Sequence, residues 1–230
     1  MTRPPAAVLG PGAEPAEDDH VLGNLAAPVT VLEYGDYECP YCAAAAPVLL
    51  RLVEESEGGV RLVFRNFPIA DRHPYALTAA LAAEAAGAQG AFWPMHEMLF
   101  ARQDRLDDAS LRKYADELGL DPERIVGEPA QPFGDKVEAD FAAGLTAGVA
   151  GTPTVFVNGR QFSGRVEIGA LRRAVMASSA PAAESGVVDE SGVEPRPGRQ
   201  RRWAGRLRGA QREALAHHSQ QDDAEHRGED

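Results

Sequence analysis

Cys39 and Cys42 are the only two cysteines of the chain. They stand in Glu38-Cys39-Pro40-Tyr41-Cys42, directly after an apolar, β-branched run, Val29–Tyr34 (VTVLEY). From Cys39 to Glu57 the composition is helical, closed by Gly58-Gly59. Two intervening residues place both sulfurs on the first helical turn, close enough to be joined as a disulfide. A cysteine at a helix N-terminus faces unsatisfied N–H groups and the positive end of the dipole. That favours thiolate over thiol and lowers the pKa from about 8.5 into the range of about 3.5–7.5. Cys39 is therefore the candidate nucleophile. Cys42, one turn further in, is the candidate that resolves the mixed disulfide. Pro40 suits a first turn, where no backbone donor is needed. Pro40 and Tyr41, held between the sulfurs, are the candidate substrate contacts.

A CxxC pair can also be half of a zinc site. A second pair is missing, however, and the histidines fit poorly. His217 and His218 are adjacent and lie far along the chain, while His73 and His96 are isolated. No metal and no cofactor are expected. There is no P-loop and no GxGxxG. His96 lies among Phe92, Trp93 and Phe100, where a hydrogen-bonded core residue is the expectation rather than a ligand. Asp36 and Glu38 flank the cysteines and either tune them or stand as solvated loop acids.

Two further residues bear on the pair. Gly151-Thr152-Pro153-Thr154 precedes the run Val155–Val157. Proline is allowed at the first residue of a strand. A cis bond at Pro153 would give it a further use, leaving the Thr152 backbone free to pair with an extended substrate segment. Glu33 stands on the first strand among Val29, Val31 and Leu32. Buried there, its carboxyl would be desolvated and its pKa raised, which suits a base near neutral pH. The alternative is a strand-end glutamate paired with Arg61 or Arg65.

The elements that must position these groups follow from periodicity and breakers. Strands are expected at Val29–Tyr34, Val60–Phe64, Thr154–Val157 and Arg160–Ser163, the last two joined by the hairpin signal Asn158-Gly159. Helices are expected over Cys39–Glu57, 75–88, Ala91–Gln103, Ser110–Leu118, Lys136–Val149 and Val166–Ser178. Pro47 should kink the first of them. A strand on either side of one helix argues for a parallel crossover. The result is an α/β fold, a mixed four-stranded sheet with helices on both faces. The stretch 68–150 is too long and too helical for a loop and reads as an inserted helical subdomain.

Composition sets the limits. The chain has 230 residues, 44% of them hydrophobic, enough for one sizeable core. Its net charge of −12 argues against a nucleic-acid partner, because phosphate contacts need clustered Lys and Arg. No run of apolar residues is long enough to insert in a membrane. Residues 1–19 are rich in Pro, Ala and Gly, show no export signal, and read as disordered. A cytoplasmic location is the default. Residues 179–230 lack Phe, Tyr and Ile and cannot bury enough apolar area to fold, so they read as a disordered polar tail. Its arginines between Arg196 and Arg212 make either an anion tether or, with the acids nearby, an ordinary solvated segment.

Tyr34-Gly35-Asp36-Tyr37-Glu38-Cys39-Pro40-Tyr41-Cys42, followed by Gly151-Thr152-Pro153-Thr154-Val155-Phe156-Val157-Asn158-Gly159, resembles the DsbA-like family of thioredoxin-fold proteins. Phe64-Arg65-Asn66-Phe67-Pro68, His73-Pro74 and Gln89-Gly90-Ala91-Phe92-Trp93-Pro94-Met95-His96 resemble it too. The likeness covers residues 20–178. Glutaredoxins share CPYC but lack the long helical insertion. The resemblance implies a thioredoxin-like fold and thiol–disulfide exchange with protein or peptide thiols, Cys39 attacking and Cys42 resolving. It implies that Pro153 is cis and that Glu33 is a buried acid beneath the site, moving the Cys42 proton. The redox partner is not implied. In the most oxidising members a histidine precedes the second cysteine. Tyr41 stands there instead and carries no positive charge at neutral pH, so a less oxidising potential is expected. Two other readings share the fold. One is a redox-sensing or interaction module like the domains appended to sodium/proton antiporters. The other is a glutathione-linked transferase or isomerase.

Overall fold

A computed structural model of the chain describes residues 14–179. Its centre is β2, Val29–Gly35, seven residues buried along their whole length. Such a strand needs partners on both edges and layers on both faces. β2 pairs in parallel with β3, Val60–Asn66, and antiparallel with β4, Thr154–Val157. Helix α1, Pro40–Glu54, makes the crossover from β2 to β3. It runs on through Pro47, whose ring lies on the exposed side, where loss of one backbone donor is cheapest. The expected return strand is the short β5, Arg160–Gln161, joined to β4 by Asn158 and Gly159, both at positive φ. Asn158 also binds the start of β2: its Oδ1 accepts from the Thr30 N–H at 2.7 Å.

The sheet has five strands rather than the four expected from the sequence, in the order β1-β3-β2-β4-β5. The added strand, β1 (His20–Gly23), pairs antiparallel with β3 at one edge. At four residues with one glycine it shows no clear alternation, so tertiary pairing and not local pattern makes it a strand. The stretch leading into it is anchored as well. Asp19 accepts two bonds from the Arg65 guanidinium, at 2.9 and 2.7 Å, and Glu14 pairs with Arg61. Residues 1–13, and the tail from 180 onward with its arginines, lie outside the described residues.

Between β3 and β4 come α2 (Ala76–Gly87), α3 (Phe92–Ala101), α4 (Asp108–Glu117), two 3-10 turns (Pro122–Arg124 and Glu128–Phe133) and α5 (Gly134–Thr146). α6, Ile168–Ser179, closes the described part. The alternation of β2 divides the core. Val29 and Val31 pack with Leu49 and Leu52 of α1 and Leu171 of α6. Leu32 and Tyr34 pack in a larger cluster with Phe67, Phe141 and the helices of the insertion. Glu33 has the parity of Val29 and Val31, and so shares the face of α1. None of the described helices is long and apolar enough to cross a membrane.

Gly35 marks how tightly β2 ends. A Cβ at that position would lie 2.3 Å from the Phe64 ring. Phe64 is fully buried and packs against Tyr37, His96 and Phe100, so it has nowhere to retreat. Gly35→Ala should therefore lower stability by about 1–3 kcal/mol, the usual cost of overpacking a core. Thermal or urea unfolding reads it directly.

Candidate active site

The register of the sheet brings the two sequence motifs together. β4 begins at Thr154 opposite Tyr34 of β2. The residues just before Thr154 must then lie beside those just after Tyr34. The thiol of Cys39 accordingly donates to the Thr152 carbonyl at 3.5 Å, across 113 residues of sequence. The Thr152–Pro153 peptide bond is cis.

Cys39 is the N-cap of α1, in extended conformation, with Pro40 opening the helix. Its carbonyl accepts from the Cys42 and Ala43 N–H groups at 3.1 and 3.2 Å. Both cysteines are free thiols. Cys39 keeps 4% of its surface and Cys42 none, so the depth difference expected along the helix is present. Tyr41 between them is 74% exposed.

The two sulfurs are driven apart in acidity. A hydrogen bond from the Cys42 thiol is the largest influence that lowers Cys39, to about 5. Burial opposes it, while Thr152 and the backbone N–H groups of Cys42 and Tyr41 act with it. Cys42 moves the other way, pushed far up by burial first, then by its bond to Cys39 and by the Glu33 carboxylate. Near neutral pH one sulfur is a thiolate and the other a thiol.

Glu33 is fully buried, and neither carboxyl oxygen has a hydrogen-bond partner. Burial, and then the Cys39 charge, raises it to about 8. The alternative of a pair with Arg61 or Arg65 does not form. Arg61 is taken by the Thr30 hydroxyl, the Leu25 carbonyl and Glu14, and Arg65 by Asp19 and the Tyr34 hydroxyl. His96 is a core residue in an aromatic cluster with Phe64, Trp93 and Phe100. Its Nδ1 lies 3.1 Å from the Tyr37 hydroxyl, and burial lowers its pKa to about 3, so it stays neutral.

The flanking acids do more than the sequence disclosed. Asp36 is buried and accepts from the N–H groups of Glu38 and Ile69, each at 2.8 Å, and lies 2.8 Å from His73 Nδ1. It fixes the loop that delivers Cys39 to α1. Glu38 accepts from the Tyr75 N–H at 2.7 Å, at the head of α2. Gln103, which no motif singled out, reaches the same loop from the turn after α3. Among the described residues no cluster of His, Cys, Asp and Glu could hold a metal.

The acidity of Cys39 is measurable. Its alkylation by iodoacetamide should be nearly constant from pH 8 down to pH 6. It should fall to half near pH 5 and then about tenfold per pH unit. An ordinary thiol loses its reactivity already below about 8.5. A midpoint above pH 8 would show that the helix end does not activate the sulfur.

Comparison with known proteins agrees with this fold. A family model described as thioredoxin matches residues 15–177. A thioredoxin-like oxidoreductase from Silicibacter pomeroyi DSS-3 superposes with a TM-score of 0.63 at 32% identity, over 73% of this chain and 95% of that one. The thiol-disulfide exchange protein alpha-DsbA2 of Wolbachia pipientis shares the fold, with a TM-score of 0.63 at 21% identity over 71% of this chain and 88% of that one. In sequence, the chain is 47% identical over 178 residues to the Na(+)/H(+) antiporter NhaA 3 of Salinispora tropica. That match takes in 77% of this chain but 27% of the antiporter, so the chain spans about a quarter of the curated relatives it matches. The acidic sulfur at a helix end, the buried partner thiol and the Thr152–Pro153 turn opposite them thus sit on a fold shared with a thioredoxin-like oxidoreductase, and the chain belongs to the thioredoxin family.

Proposed function

We propose that the chain is a thiol–disulfide oxidoreductase acting on protein or peptide thiols. The observation that supports this most is the placement of the Cys39 sulfur at the N-terminus of α1, against Thr152, with Cys42 and Glu33 buried behind it. The Cys39 thiolate attacks a substrate disulfide. One substrate sulfur leaves as a thiolate, and a mixed disulfide forms. Glu33, in its ionised form, accepts the proton of Cys42. The Cys42 thiolate then attacks the Cys39 sulfur and expels the second substrate thiolate. The substrate gains two electrons, and the Cys39–Cys42 disulfide holds the oxidation. The same steps in reverse oxidise a substrate dithiol. Exposed Pro40 and Tyr41, with the Thr152–Pro153 backbone, form the surface that meets the substrate.

A second reading is favoured by the likeness to part of sodium/proton antiporters. The same dithiol would then report redox state to an attached or associated transporter, and turnover would be secondary. One experiment separates the two. The full chain is equilibrated in glutathione buffers to fix the potential of the pair, then assayed for insulin reduction with dithiothreitol. A catalyst shows both a reversible two-electron couple and multiple turnovers. A sensing module shows the couple with no turnover above background. Absence of a reversible couple would end both readings.

A further inference from the structure

Gln103 lies in the turn after α3, 64 residues from Cys39 in sequence, and its side-chain Nε2 donates to two backbone carbonyls of the redox loop. One bond goes to the Tyr37 carbonyl at 2.6 Å and the other to the Cys39 carbonyl at 2.9 Å. An amide nitrogen carries two hydrogens and a carbonyl only accepts, so this arrangement uses both donors and fixes which way the amide faces. Tyr37 is buried, and its carbonyl would otherwise need another donor.

The turn that carries Gln103 is itself braced. Arg102 forms an ion pair with Glu117 of α4 at 2.8 Å, and its guanidinium lies 4.8 Å from the Tyr114 ring. The Tyr114 hydroxyl donates to the Arg105 carbonyl at 2.8 Å, and the Arg105 N–H closes the turn onto the Arg102 carbonyl at 3.0 Å. α4 thus holds residues 102–105 from both sides of Gln103. The inserted helices therefore reach these two carbonyls through one side chain fixed at its base.

The peptide that Gln103 grips is the one that starts α1. The Cys39 carbonyl already accepts the first intrahelical bonds, from the Cys42 and Ala43 N–H groups. A third donor on that oxygen, together with the bond to Tyr37, fixes the Cys39 carbonyl and the Tyr37 carbonyl two residues before it. Fixing them fixes the direction in which the Cys39 sulfur leaves the backbone. We propose that Gln103 is a positioning residue: it holds the loop so that the Cys39 sulfur faces the backbone N–H groups at the start of α1 and stands against Thr152. Gln103 touches neither sulfur. Without it the loop gains freedom, the sulfur spends less time at the helix end, and its thiolate is less favoured.

The inference rests on the proposed role of Cys39 as an activated thiolate, and the test separates the two. Wild type, Gln103→Met and Gln103→Glu are compared as full chains in the reduced form. Met keeps the length of the side chain and removes both donors. Glu keeps the shape and sets an acceptor against two acceptors once it ionises. The midpoint of thiolate formation is read from the pH profile of alkylation, and folding from the melting curve. In Gln103→Met the midpoint should rise by about one pH unit, the scale of one or two lost hydrogen bonds. Alkylation should then fall several-fold at pH 4.5 while changing little at pH 7, a pattern that general loosening does not produce. Gln103→Glu should shift the midpoint at least as far. If wild type titrates near pH 5 and both folded variants titrate with it, the Gln103 proposal is overturned and the role of Cys39 stands. If wild type has no midpoint below about 8, both fall together.

Discussion

Cys39→Ser should reduce disulfide exchange by at least a hundredfold at pH 7, and Cys42→Ser should accumulate mixed disulfides with substrate. The asymmetry follows from the two environments. In Cys39→Ser the remaining sulfur is Cys42, which is fully buried and whose ionisation is opposed chiefly by that burial. A thiol held above its ordinary pKa is less than about 1–3% thiolate at pH 7, and the thiolate is the reactive form. Serine in its place supplies no nucleophile of comparable acidity. In Cys42→Ser the attacking sulfur is intact, so the first step proceeds. The second lacks its nucleophile, and the covalent adduct on Cys39 remains. Non-reducing electrophoresis and intact mass read the adduct. Faster alkylation of Cys42 than of Cys39 at neutral pH would reverse the assigned roles.

Glu33 should show the second large effect, in both stability and kinetics. Its carboxyl is buried without partners, and its pKa is raised from 4.5 to about 8. Between those values the folded chain keeps a proton that the unfolded chain has released. Stability therefore falls as pH rises through that window, by about a few kcal/mol in all. Below pH 4.5 both states are protonated and the penalty is absent. Cys39 acts with the opposite sign. Its lowered pKa makes the folded reduced form more stable as pH rises from about 5, a contribution complete only above the ordinary thiol value of about 8.5 and gone once pH falls through 5. The comparison is thus best made in a Cys39→Ser background. There, adding Glu33→Gln should flatten the decline in unfolding free energy between pH 5 and pH 8. In the chain with both cysteines, Glu33→Gln should slow resolution of the mixed disulfide by about a hundredfold, the lower range for removing a placed base. An unchanged stability slope would show that Glu33 does not titrate in that window. Unchanged resolution would assign the Cys42 proton to another acceptor.

Much of this was legible because it is local. A β-branched run, two thiols two residues apart, a proline at the first helical turn and an alanine-rich continuation are all read within about thirty consecutive residues. They suffice for a strand delivering a nucleophile to a helix end. The alternation of Val29, Val31 and Glu33 even assigns the carboxyl to the face of α1. Asn158-Gly159 marks its hairpin because φ above zero favours few residue types.

Tertiary structure decided what local pattern cannot encode. Arg61, Arg65 and Glu33 are each compatible with an ion pair in sequence. Glu33 is left unpaired because the register sets Arg61 beside Thr30 and Arg65 beside Tyr34, on the face of β2 opposite Glu33, where the Thr30 hydroxyl, Glu14 and Asp19 bind them. β1 is a strand because β3 offers it an edge, and a four-residue segment has too little pattern of its own. Asp36 and Gln103 act on backbone N–H and carbonyl groups. Every residue carries such groups, so no composition or spacing marks which of them a distant side chain will grip. Which atoms can react follows from the residue types and their spacing alone. Which side chains hold them in place, and hence how acidic each sulfur is, depends on contacts closed only when strands and helices many residues apart come together.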